Sequence, residues 1–266
     1  MSLTATYDPV LGRIRLSATL LGASATRCDF WRTTNNFAQS VTVRGAWPTT
    51  VTSQNAHIDD YEFVPGVETT YRVTSFTAAN LTPVATFDVV ITQDLDVVWL
   101  KVPAAPYLNT TVTVVDRSEV VRRSRRGLFD VVGRTLPVMV GDVASGLAFE
   151  LQLMTETPAA ERNLDYVFAS GEVVFLHLPS TVEHFPGGYF AVGDVSRETT
   201  LRLSPRRVWR VPLTEVAAPG PAVIGPAYTI ASMLAEYATI SLVIAGNATI
   251  SDLLQRVGSP SDVIVS

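Results

Sequence analysis

Apolar and polar residues alternate along most of this chain with a period of two. Ile14, Leu16, Ala18 and Leu20 are separated by Arg15, Ser17 and Thr19, and Leu147, Phe149, Leu151 and Leu153 by Ala148, Glu150 and Gln152. That period sends successive side chains to opposite faces of a strand, so both segments predict strands with one buried face. Shorter runs of the same kind occupy residues 41–44, 61–63, 70–74, 87–92 and 97–100. Others follow at 111–115, 128–132, 137–140, 173–178, 189–192 and 208–213. One window breaks the pattern. Thr157 suits a helix N-cap, Pro158 the first helical position and Glu161 the first turn, which predicts about three helical turns near 158–169. Short strands with a single helix make the expected fold class all-β.

The 266 residues suffice for two domains that each bury a core. The alternation restarts near Asp94-Leu95-Asp96, which places a β-sandwich in 1–94 and a β-barrel-like domain with one helix in 95–216. Residues 217–266 read differently. Ala217-Ala218-Pro219-Gly220-Pro221 is a stiff, extended linker. After it Thr229-Ile230 recurs as Thr239-Ile240 and Thr249-Ile250, a repeat of ten residues with apolar side chains three and four positions on. Each unit carries a helical stripe. Three helical turns take ~10.8 residues, so one continuous helix would rotate its stripe by ~40° per repeat. Either short helical segments lie on a neighbouring surface, or a single amphipathic helix closes the chain. In both cases Ile230, Leu234, Ile240, Ile244, Ile250 and Leu254 are candidate subunit-interface residues.

Composition narrows the function classes. Hydrophobic residues form 47% of the chain and charged ones 17%, which describes a folded protein. The net charge of −5 gives no global attraction to nucleic acid. Lys101 is the only lysine, and Cys28, the only cysteine, excludes an internal disulfide. The first residues lack a basic region followed by an apolar one, so export by signal peptide is not expected. The most apolar stretch, 227–250, is interrupted by Glu236 and Asn247, and no membrane span is expected.

Catalytic motifs are missing: there is no phosphate loop, dinucleotide fingerprint or nucleophile elbow. His57, His177 and His184 are scattered, with His57 expected on a loop tip before a strand, and no cofactor or metal is expected. Cys28 reads as a core thiol. The conspicuous charge feature is Arg122-Arg123-Ser124-Arg125-Arg126. It could contact DNA phosphates, pair bidentately with carboxylates of an adjoining subunit, or lie idle in a solvated loop. No aromatic residue interleaves with it, which disfavours single-stranded nucleic acid. Arg122, Arg123, Arg125 and Arg126 therefore join the candidate interface residues.

Two resemblances add to this reading. Val64-Pro65-Gly66-Val67-Glu68-Thr69-Thr70-Tyr71-Arg72-Val73 resembles the corner and following strand of fibronectin type III modules, over roughly residues 5–93. Thr69 stands where that family has its corner tyrosine. Residues 95–216 resemble minor or distal tail proteins of bacteriophages that infect actinobacteria. The features are Val98-Trp99-Leu100-Lys101-Val102-Pro103, the stretch from Arg126 to Arg134 leading into Leu136-Pro137-Val138, and the capped helix before Gly171-Glu172-Val173-Val174-Phe175. The resemblance implies a non-enzymatic virion protein, made in the host cytoplasm, that assembles with itself as a ring and with other tail proteins, and that can reach the host surface. A carbohydrate-binding adhesin with Trp31, Trp47 and Tyr61 as a stacking platform is the competing class. A hydrolase using Asp142 and Glu150 is the third.

Overall fold

The computed structural model describes residues 2–220 apart from 36, 47–48, 78–82, 131, 183 and 200–203. In chain order the strands are β1 (Ser2–Asp8), β2 (Arg13–Thr19), β3 (Arg27–Thr33), β4 (Val41–Thr42), β5 (Thr49–Thr50), β6 (Ala56–Asp60), β7 (Glu68–Phe76), β8 (Pro83–Thr92), β9 (Trp99–Lys101) and β10 (Thr110–Thr111). Then come β11 (Thr113–Arg117), β12 (Val121–Arg122), β13 (Arg126–Phe129), β14 (Val138–Gly141) and β15 (Leu147–Thr155). Helix α1 (Pro158–Ala169) precedes β16 (Val174–His177), β17 (Gly188–Val192), β18 (Ser196–Thr199) and β19 (Arg207–Glu215). The described chain is mostly strand with one α-helix, an all-β fold.

Two compact units form, each gathered from separated stretches of the chain. The described residues of the first fall in 1–111, 175–187 and 219–266; those of the second fall in 112–174 and 188–218. β9 pairs with the much later β16, Leu100 opposite Leu176 and Trp99 opposite His177. Long-range pairing of this kind leaves no local trace in sequence.

In the first unit, β1-β2-β6 make one antiparallel sheet and β4-β3-β7-β8 another, with β5 also on β3. Ile14, Leu16 and Ala18 of β2 meet Cys28 and Phe30 of β3 and Tyr71 and Val73 of β7 in one buried cluster. This is a β-sandwich core. The alternation read at Ile14–Leu20 therefore marks the correct face, although Leu20 itself is 54% exposed, with φ of 59° in the turn after β2.

Two local expectations are corrected. Residues 61–63 are not a strand. β6 ends at Asp60, whose carboxylate accepts the Glu62 N–H at 2.9 Å, and the carbonyls of Tyr61 and Phe63 are taken by Lys101 and His177. Side chains satisfy that backbone in place of a ladder. His57 sits within β6, opposite Ser17, with Nδ1 3.0 Å from the Ser17 hydroxyl.

The second unit is built on β15 and β19, paired from Ala148–Thr214 to Thr155–Arg207. Strand order runs β17-β19-β15-β11, with β12 also on β15 and β18 on β19. Among the described residues no pairing closes this order into a barrel, which leaves the curved sheet that the alternation equally allows. Phe149, Leu151 and Leu153 are buried beside Trp209, Val211 and Leu213. Helix α1 covers them with Leu164 and Val167. Its N-terminus forms as the sequence indicates: the Thr157 hydroxyl accepts the Ala160 N–H at 3.2 Å, and Pro158 opens the first turn. The decad repeat, and with it Ile230, Leu234, Ile240, Ile244, Ile250 and Leu254, lies outside the described residues.

Candidate functional site: an exposed hairpin on an arginine base

Strands β13 and β14 form a two-stranded sheet of their own, in register from Arg126–Gly141 to Phe129–Val138. β13 begins and ends earlier than the run at 128–132 suggested. The ladder extends toward the base, where Asp142 N–H donates to the Arg125 carbonyl and Ser145 N–H to that of Arg123, each at 2.9 Å. A Cβ on Gly127 would lie 2.9 Å from the Phe129 ring, which folds back over this position.

The hairpin is apolar and exposed on both faces. Leu128 is 66% exposed, Phe129 56%, Met139 59% and Val140 61%, and Val132 and Leu136 in the connecting loop are more exposed still. With Val138 and Val143, these side chains present on the order of 1,000 Å² of apolar surface, against the few hundred Å² usual for a monomer's largest patch. A two-stranded hairpin without a third strand or a covering layer is marginal in water.

The four arginines singled out from sequence stand at the foot of this arm, and all four are exposed. Among the described residues only Arg122 is ion-paired, to Glu215 at 3.7 Å, and it also donates to the Ser145 carbonyl at 3.0 Å. Residues 121–145 contain five arginines and two aspartates, a local +3 within a chain of −5. The structure thus joins two features that sequence reading kept apart. The apolar runs at 128–132 and 137–140 looked like core strands, because burial depends on what lies across from a strand and not on its own pattern.

Lys101 is 1% exposed and its ammonium donates to the Gly12 carbonyl at 2.6 Å, the Tyr61 carbonyl at 2.7 Å and His177 Nδ1 at 2.7 Å. His177 Nε2 donates to the Phe63 carbonyl at 2.8 Å, which leaves Nδ1 as the acceptor. Burial pulls the Lys101 ammonium down to about 7 although Asp60 and Glu62 favour its charge. Burial and the neighbouring Lys101 hold His177 well below its ordinary value. All three Lys101 donors are occupied, so this cluster ties chain segments together and offers no open amine. Its one signal in the sequence was a lone lysine inside an apolar run.

Beside it lies a buried ion network. Asp60 accepts from Arg32 and from the Tyr71 hydroxyl, the latter at 2.7 Å, while Arg44 donates to Glu62 at 2.8 Å. Burial opposes the charge on Arg32, yet Asp60 holds its pKa above the ordinary value. Cys28 is fully buried, and burial pushes its thiol up to about 12. Among the described residues no three His, Cys, Asp or Glu side chains are grouped to hold a metal, and no helix is long and apolar enough to cross a membrane. Of the proposed stacking residues, Tyr61 has its hydroxyl 3.2 Å from Arg13, and Trp47 lies outside the described residues. Asp142 is exposed at the hairpin base, and Glu150 is half-buried on β15.

No family model matches the chain, and no curated protein matches it.

Proposed function

We propose that this chain is a structural component of a bacteriophage tail, a minor or tail-tip protein that works by presenting surfaces to its own copies and to other tail proteins. The observation that carries the reading is the β13–β14 hairpin, with Leu128, Phe129, Met139 and Val140 in solvent above an arginine base. Protein interfaces combine an apolar centre with arginine, the composition found here. The first unit is a fibronectin-like module in this reading. The Pro65-Gly66 corner before β7 and two facing antiparallel sheets support it. The C-terminal decads form a helical arm that docks on a neighbour. Arg44 donates to the carbonyls of Pro219 and Gly220, within the linker that precedes these decads.

The test is immunogold labelling of virions of the phage that encodes the chain, with antibody raised against the purified protein. Gold at the tail or its tip is the expected result. Label confined to capsids, or found only in the lysate's soluble fraction, removes the tail assignment.

A further inference from the structure

We propose that the β13–β14 hairpin docks head-to-tail on a second copy of this chain, away from that copy's own hairpin. The inference rests on the interface reading above and adds the partner and the geometry of contact. Three observations carry it.

The first is area. The apolar surface of the arm, on the order of 1,000 Å², matches the ~800 Å² per partner of a standard stable interface, so one neighbour suffices to cover it. The second is the arm's isolation. Among the described residues its two strands pair only with each other, and their large side chains face solvent on both sides. An occupant that covers it stabilises the hairpin itself.

The third is charge, and it selects the occupant. The arm and its base carry +3, which leaves −8 on the rest of a chain whose total is −5. Two arms meeting across a two-fold axis would bring eight base arginines together, and like charges across an interface oppose that pairing. An arm placed against the acidic remainder of another copy meets opposite charge. A contact between different surfaces of identical subunits is heterologous, and repetition closes it into a ring or extends it as a filament.

The experiment is mass photometry and native mass spectrometry of the full chain at micromolar concentration, across a salt series. The variants are Leu128→Thr/Met139→Thr and Arg125→Glu/Arg126→Glu. Threonine keeps strand propensity while removing apolar surface, and the four side chains are exposed. Unchanged circular dichroism and melting temperature establish that each variant folds. The expected result is an assembly of three or more copies that weakens with salt, and monomers for both variants. A wild-type monomer overturns the inference. So does a two-copy particle whose arms cross-link to one another. Assembly unaffected by either variant overturns it as well. A monomeric chain that nonetheless labels virion tails sinks this inference alone, whereas a ring that never labels virions sinks only the tail assignment.

Discussion

Replacing Lys101 with methionine tests whether its ammonium organises the core of the first unit. Methionine fills similar space but leaves the Gly12 carbonyl, the Tyr61 carbonyl and His177 Nδ1 without a donor. Each orphaned buried acceptor costs ~1–3 kcal/mol, so the gross loss is roughly 3–9 kcal/mol. The ammonium's own burial offsets part of this. The fall of its pKa from 10.5 to about 7 sets that cost at no more than ~5 kcal/mol. A net loss of roughly 2–3 kcal/mol is expected at pH 7. The pH dependence is a second signature. Below pH 7 both folded and unfolded lysine are charged and the burial cost is felt in full. Between about 7 and 10.5 the unfolded chain holds the extra proton, so stability rises with pH, by about 2 kcal/mol from pH 7 to 9. His177 acts in the same direction at lower pH: its folded value is depressed, so stability falls as the pH drops below 6.5. Urea denaturation at a series of pH values reads both effects. Equal stability of wild type and Lys101→Met at pH 7, or the same rise toward pH 9 in each, refutes the reasoning.

Other outcomes follow from single contacts. Thr157→Ala removes the bond to Ala160 N–H and should cost ~1 kcal/mol in urea denaturation, while Thr157→Ser should cost little. Leu151→Ala in the buried face of β15 should cost roughly 2–5 kcal/mol, monitored by Trp209 fluorescence. Gly12 has φ of +58°, and an added Cβ would lie 2.6 Å from the Trp99 ring, so Gly12→Ala should lower the melting temperature in calorimetry. Cys28 should resist iodoacetamide at pH 8 in the native protein and react after denaturation, because its thiol is buried and its pKa raised to about 12.

The sequence was most informative where a pattern is local. The alternation over 147–153 falls within β15, and Thr157-Pro158 fixes the start of α1 to the residue. It was silent where partners are distant. Lys101 meets Gly12 across 89 positions and His177 across 76, and no window of the chain contains both ends of either bond. The turn after β6 was hidden for the same reason: the acceptors at Tyr61 and Phe63 are claimed by side chains from β9 and β16. The hairpin shows a different limit. Leu128-Phe129 and Val138-Met139-Val140 are apolar enough for a core, and sequence correctly indicates strands there. Exposure is decided by whether another layer covers the strands, and among the described residues none does; an apolar pattern does not encode that. Arg122, Arg123, Arg125 and Arg126 were visible as a charge run, but their position at the foot of an apolar arm required the fold.

Amide hydrogen exchange of residues 126–141 in the full chain, measured from nanomolar to micromolar concentration, is the most direct measurement of whether this surface is an interface. Slow exchange in this segment at high concentration, giving way to fast exchange on dilution while β15 and β19 stay protected, is the expected result. Exchange in the hairpin that is equally fast at every concentration contradicts it.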